Sequence, residues 1–301
     1  MNLAVKLNNL QLPTPVICAS GTFGYAEELK GLVNFKNIGA VTTKTITPEA
    51  RAGNPPPRIY ETEYGVINSI GLENPGLDGF LEEKLPSLVK LPVKLIVSVG
   101  GFSQEDYEGI ITKLEAKKEI EALEINLSCP NIKMKKMFSQ NSELTYNLVK
   151  SLRALTKKTL IIKITPEIDD VVEIAKAARD AGADALSLVN TFFALSINIE
   201  TKKPHLGSVY GGYSARAIKP LALYKVWQVA RNLDIPIIGG GGIENASDAI
   251  EFILAGATAV SIGTINLVYP NSATDIVKGL KDYMKRKKIS DINELRGGMV
   301  S

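Results

Sequence analysis

The chain has 301 residues, 45% of them hydrophobic and 22% charged, with a formal net charge of +3. That is globular material, long enough for one α/β barrel of about 250 residues, and its dispersed lysines and arginines with only 6% aromatics exclude a basic, aromatic-lined nucleic-acid surface. Two distant cysteines, a lone histidine and no apolar run of about 20 residues argue against a disulfide framework, a zinc site and a membrane span, and lead to the expectation of a leaderless protein in a reducing cytoplasm, with no metal.

Short Val/Ile-rich runs alternate with helical patterns from end to end. The first run, 15–19, holds Cys18, expected to be packing, and passes into Ser20-Gly-Thr-Phe-Gly24, small groups that can lie against a cofactor. A helical pattern at 26–35 leads to the run 40–45, which contains Lys44 and Thr45. Residues 46–76 then form an insertion longer than an ordinary connection, with turn signals in Gly53-Asn-Pro-Pro-Pro-Arg58 and in Asn68-Ser69-Ile70-Gly71-Leu72-Glu-Asn74-Pro-Gly. The pattern continues as helix 77–89, strand 94–99 with Ser98, helix 104–117, strand 123–128, helix 142–155, strand 160–165 with Lys163 and helix 171–181. Strand 185–190 ends in Val189-Asn190-Thr191 and opens a second long insertion, 192–219, carrying His205 and Gly211-Gly-Tyr-Ser-Ala215. Helix 221–232, strand 236–239, helix 246–254, strand 259–263 and helix 272–284 complete the chain. Eight strand–helix repeats predict one (β/α)8 TIM barrel over 1–301, with lid-like insertions after strands 2, 4 and 6, expected as small hairpins over the mouth.

In such a barrel the strand C-terminal ends carry the chemistry, and the polar residues cluster there. Lys44 and Lys163 stand among aliphatics, and a strand covered by helices has no wet outer face, so both are expected to point inward near the mouth, toward an anionic ligand or a carboxylate. Gly239-Gly-Gly241-Gly242 and Gly263-Thr264 end strands 7 and 8, the usual phosphate position of a barrel, although glycines also serve a merely tight turn. No dinucleotide fingerprint fits, since Glu244 stands where its last glycine belongs, and there is no Walker pattern. The run Leu123-Glu-Ile-Asn126-Leu-Ser-Cys129-Pro-Asn131 reads as a half-buried strand ended by Pro130, with a thiol and two amides at its tip. An incidental packed cysteine and a reactive one both remain open at this point. The histidine reads as a solvated loop residue.

These motifs together resemble the class 1 dihydroorotate dehydrogenases, over nearly the whole chain; Gly53-Asn-Pro-Pro-Pro-Arg58 and Gly263-Thr-Ile-Asn-Leu-Val-Tyr-Pro270 are most similar to subgroup B. The resemblance implies FMN-dependent oxidation of (S)-dihydroorotate to orotate in pyrimidine biosynthesis. It places the FMN phosphate on Gly241, Gly242, Gly263 and Thr264, the flavin among Ser20, Lys44, Thr45, Ser98, Asn126, Val189 and Ala215, and Lys163 against negative charge on the reduced ring. Dihydroorotate would be held by Lys44, Asn68, Asn126, Asn131, Asn190, Thr191 and the segment Ser69, Ile70, Gly71, Leu72, with Cys129 taking a proton from ring carbon 5 as hydride leaves carbon 6. A homodimer is implied, with an electron-transfer subunit carrying FAD and a [2Fe-2S] cluster that passes electrons to NAD. The lysine-rich stretch after Asn131, Ala215 in place of a glycine and Ser98 in place of an asparagine depart from the family pattern. The flavin domain of dihydropyrimidine dehydrogenase and a non-catalytic FMN electron-transfer module are the rival readings; the first typically has histidine where Asn131 stands.

Overall fold

Eight parallel strands close on one another in sequence order: β1 (Val16–Cys18), β2 (Ala40–Thr42), β3 (Lys94–Val99), β4 (Ala122–Asn126), β5 (Thr159–Ile164), β6 (Ala185–Leu188), β7 (Ile237–Gly240) and β8 (Ala259–Ile262), with β8 pairing back onto β1. The computed structural model describes residues 1–128 and 137–300. The strands are the eight expected runs, most of them shorter at the C-terminal end, where polar residues leave the ladder. One expectation needs correction: β4 is not half-buried, since all five of its residues are buried, Glu124 included. A barrel strand lies between the lumen on one face and helices on the other, so alternation marks which side a residue takes and says nothing about solvent.

Helices fill the connections where caps and apolar spacing direct them. Gln104–Glu115 starts on a Ser103/Asp106 capping box, Ser142–Leu155 on Asn141 and Val171–Asp180 on Asp170, each cap satisfying amides that the first turn leaves free. Lys219–Asn232, Ala246–Leu254 and Ser272–Lys287 follow. The segment 76–88 is helical throughout, as Gly76–Gly79, a π-turn Phe80–Lys84 and Leu85–Leu88, with Pro86, which has no N–H to give, at the last junction. The helix expected at 26–35 is absent. Only single 3₁₀ turns form there, Glu27–Leu29 and Phe35–Asn37, because Ala26 and Gly31 take left-handed backbone and Ala26 offers no capping side chain.

At the opposite end of the strands an antiparallel ribbon, Val5–Leu7 with Leu10–Leu12, buries Val5, Leu7, Leu10 and Leu12 in the common core. Asn8 at its turn donates to Asp184, the residue before β6, which also holds Arg153 at 2.8 Å.

The two long insertions meet. Phe192–Ala194 and Gly211–Ser214, both from the connection after β6, pair with Val66–Asn68 and Ile59–Glu61 from the connection after β2 in one four-stranded antiparallel sheet. The lids expected as separate hairpins are thus zipped into a single cover. Most of the third expected insertion, after β4, falls at 129–136, outside the described residues. No described helix is long and apolar enough to cross a membrane.

One buried carboxylate supports the turn after β7. Asp248 Oδ2 accepts from the backbone N–H groups of Glu244 and Asn245 at 3.0 and 3.2 Å, while Oδ1 accepts from Lys219 Nζ at 2.7 Å. Asp248→Ala removes a cap and breaks a largely buried ion pair, so it should cost about 2 kcal/mol. Denaturant unfolding of the variant reads this directly, and an unchanged midpoint would show that the turn stands without it.

Candidate active site

A cavity of about 1150 Å³ lies between the C-terminal ends of the barrel strands and the lid sheet. That volume suits a large planar cofactor together with a small substrate. Its wall brings together most of the residues singled out in the sequence: Ser20 after β1, Lys44 and Thr45 after β2, Asn68 to Leu72 from the lid, Asn126 at the end of β4 and Lys163 on β5. Val189, Asn190 and Thr191 after β6, Ala215, and Gly241, Gly242, Gly263 and Thr264 after β7 and β8 complete it. Ser98 does not reach the cavity; it is fully buried and bonded to Thr45 Oγ1 at 2.9 Å, which in turn lies 3.4 Å from Ser20 Oγ. Cys129 and Asn131 lie outside the described residues, as does the lysine-rich stretch that follows them. Ser128, just before the cysteine, is itself part of the wall.

The end of β4 is held from two sides. Behind it, the Tyr107 hydroxyl donates to the Asn126 carbonyl at 2.8 Å. In front, Asn126 Oδ1 accepts from Ser128 N at 3.2 Å and from Asn190 Nδ2 at 3.3 Å, and Asn190 Nδ2 also donates to Ser128 Oγ at 2.9 Å. Ser128 was not singled out from the sequence, yet it joins the two asparagines. The amide nitrogen of Asn126 keeps no partner among the described residues and is left to a ligand. Lys44 likewise has no ion-pair or hydrogen-bond partner among them, whereas Lys163 lies 3.6 Å from the carboxylate of Glu124.

The glycines have more than one reason to be there. At Gly212 a Cβ would stand 2.1 Å from Thr191 Oγ1, and at Gly211 2.4 Å from the Asn68 carbonyl, so this pair lets the lid strand approach both polar groups closely. Asn68 uses the approach, donating from Nδ2 to the Gly212 carbonyl at 3.2 Å. Gly241 and Gly242 take φ of +127° and +73°, and a Cβ on either would collide with the segment 215–222 behind them. Packing of the turn against that segment, whose Ala215 and Ile218 also line the cavity, therefore requires glycine at both positions. Gly263 is different: a Cβ there would make only ordinary contacts at 3.8 Å and beyond, so its lack of side chain leaves room on the cavity side. Thr264 beside it donates to Ser214 Oγ at 2.9 Å, tying the end of β8 to the lid.

These features fit a phosphate-bearing flavin: glycine-lined amides for a phosphate, a wide slot for a ring, and lysine and asparagine groups along it. His205 stands apart from the cavity, stacked on Tyr60 at 3.9 Å between ring centres and bonded to Ser196. Cys18 is buried in the core, and burial pushes its thiol well above the usual range, as expected of a packing residue. No cluster of three or more metal-ligating side chains occurs among the described residues.

A family profile described as dihydroorotate dehydrogenase matches residues 2–284. The chain belongs to this family. Its members are flavin-dependent in general. Among curated relatives, the dihydroorotate dehydrogenase B (NAD(+)) catalytic subunit of Thermoanaerobacter pseudethanolicus is 44% identical over 300 residues, covering 99% of each chain. The catalytic subunit of the same name from Trichlorobacter lovleyi is 45% identical over 298 residues, 99% of this chain and 98% of its own. The crystal structure of the Eimeria tenella DHODH in complex with ferulenol superposes with a TM-score of 0.81 at 25% identity, over 99% of this chain and 88% of that one.

One position in the dihydroorotate dehydrogenase fold of this chain is strained. Ala215 sits at φ 74°, ψ −163°, a region essentially reserved for glycine. Ala215→Gly should therefore stabilise the protein by about 1 kcal/mol, relief of strain outweighing the added freedom of the unfolded chain. Gly242→Ala should do the reverse and weaken flavin retention as well. Melting temperatures and flavin content of the two variants decide it; a destabilised Ala215→Gly would mean that the methyl group is a useful contact.

Proposed function

We propose that the chain, acting as one domain over 1–301, oxidises (S)-dihydroorotate to orotate in pyrimidine biosynthesis, with FMN as its bound flavin and Cys129 as the base. One observation supports this above the others: the segment leading to Cys129 leaves β4 in the wall of a cavity that also gathers Asn126, Asn190, Asn68, Lys44 and Lys163. A bound FMN supplies the acceptor for the hydride that leaves the substrate. The backbone of Gly241, Gly242, Gly263 and Thr264 holds its phosphate, Ser20, Thr45 and Val189 with Ala215 border it, and Ser98 fixes Thr45 from behind.

The asparagines can pair with a ring that carries carbonyls and N–H groups, because each amide offers both donors and acceptors. Asn68, Asn126, Asn131, Asn190 and Thr191 read the substrate, the segment 69–72 borders it, and Lys44, with no anionic partner among the described residues, attracts its carboxylate. The Cys129 thiolate takes the proton from ring carbon 5; a thiol's usual pKa, about 8.5, is near enough to neutrality for a base. The lid sheet excludes water, which strengthens each of these contacts. Electrons then leave through a partner: a subunit with FAD and a [2Fe-2S] cluster that reduces NAD, docked on a homodimer of this chain in the cytoplasm. The cavity lacks a second nucleotide fingerprint in the sequence, which favours a partner over direct exchange with NAD.

Anaerobic mixing of the purified protein with dihydroorotate, followed by flavin absorbance, tests the reading. Bleaching is expected, and Cys129→Ala should slow it by roughly 10²–10⁴-fold with FMN still bound. Reduction of the variant at the wild-type rate would remove Cys129 from the reaction. Turnover with an artificial dye but not with NAD is the result expected of the chain without its partner.

A further inference from the structure

Glu124 is a buried charge that the reaction above does not use. It lies on β4 two residues before Asn126 and hence on the same lumen-side face, one layer farther from the mouth. Across the ladder it is opposite Ser98 on β3 and Ile161 on β5, and Asn126 is opposite Lys163. Only 5% of Glu124 is exposed, and its Oε1 accepts no hydrogen bond among the described residues. Its ion-pair partner among the described residues is Lys163, with Nζ at 3.6 Å, on a side chain that reaches the cavity wall. The Ser98 hydroxyl is bonded to Thr45 Oγ1 at 2.9 Å.

Burying a carboxylate without a hydrogen bond is costly, and a purely structural ion pair would ordinarily be completed by further donors. Here the pair is loose and incomplete, and one partner fronts the ligand. A lysine ammonium has three donors and can serve the carboxylate behind it and an acceptor in front at once. We infer that Glu124 is a positioning residue and counter-charge for Lys163: it anchors the ammonium from below and offsets part of its attraction for negative charge gathering on a flavin ring in the cavity. The reduced flavin is then gripped less strongly, relative to the oxidised one, than an unpaired lysine would grip it, which favours passing electrons onward. The inference rests on reading the cavity as a flavin site.

The test is Glu124→Gln, which keeps the shape and removes the charge. Two quantities are measured on the purified protein: the dissociation constant of oxidised FMN from the apoprotein, and the two-electron midpoint potential of the bound flavin. The ratio of reduced to oxidised affinity should rise about tenfold, an upward shift of about 30 mV for a two-electron couple, with binding of oxidised FMN changed much less. Glu124→Asp, which keeps the charge but draws it back from Lys163, should shift the potential in the same direction by less, and carries the test if Glu124→Gln does not fold. In a Lys163→Met background the Glu124→Gln change should be silent, because no ammonium is left there for the carboxylate to anchor or offset. An unchanged potential in a flavin-binding Glu124 variant, or a shift that persists without Lys163, overturns the inference. A wild-type chain that binds no flavin would instead overturn the reading of the cavity itself.

Discussion

A strand in a closed parallel barrel is covered on both faces, so every polar side chain on it must find a partner in the lumen or a ligand at the mouth. Most of the site follows from this constraint. On β1, β5, β6, β7 and β8 the interior is almost wholly aliphatic, and Lys163, Ser187 and Ser261 all front the same cavity, while Thr159 alone lies buried at the far end of β5. Where a polar group lies deeper, it is bonded sideways, as Ser98 is to Thr45, or paired with a charge, as Glu124 is with Lys163. The mouth can stay polar because the lid sheet covers it, and the lid's own strands pack closely because Gly211 and Gly212 present no side chain to Asn68 and Thr191.

The lid also shows how a loop gains rigidity without a core of its own. Arg58 fastens the first insertion internally, donating to the carbonyls of Asn54 and Ala52 and pairing with Glu73 at 2.7 Å. Asn74, buried, takes the backbone N–H groups of Thr47 and Gly76 and returns donors to Thr47 and Leu72. These residues belong to motifs that mark the family, yet their work is to hold Asn68 to Leu72 in place. Functional and scaffolding roles thus lie side by side within one stretch of sequence.

The barrel was legible because period and position carry it: eight β-branched runs of the right length, separated by capped helices, leave little else to build. So was the inward lysine on β5, from the cost of placing it anywhere else. Other features depend on what lies far away in the chain. The helix expected at 26–35 fails on the left-handed backbone of Ala26 and Gly31, which composition does not disclose. The pairing of the two insertions joins residues about 150 apart, beyond any local pattern. Glu124 was hidden for a plainer reason: one polar residue in an alternating strand looks like a solvated face until closure of the barrel turns that face inward. The glycines after β7 are expected from ligand approach; the collisions a Cβ would make there with Ala215, Ile218, Lys219 and Ala222 add a packing reason that comes from elsewhere in the chain.

The two lysines of the cavity are therefore not equivalent, and the difference matches the two anions that the proposed reaction presents. A substrate carboxylate is charged throughout, so a cation with no protein partner, as Lys44 is among the described residues, can give it the whole of its attraction. A flavin ring gains negative charge only on reduction, and a full, uncompensated cation beside it would hold the electrons as well as accept them. With Glu124 behind it, Lys163 still orients toward the cavity but offers a weaker field. In a low-dielectric lumen the placement of one carboxylate a layer below the ligand is enough to separate binding a charge from releasing it, and a chain that must hand its electrons on has need of that separation.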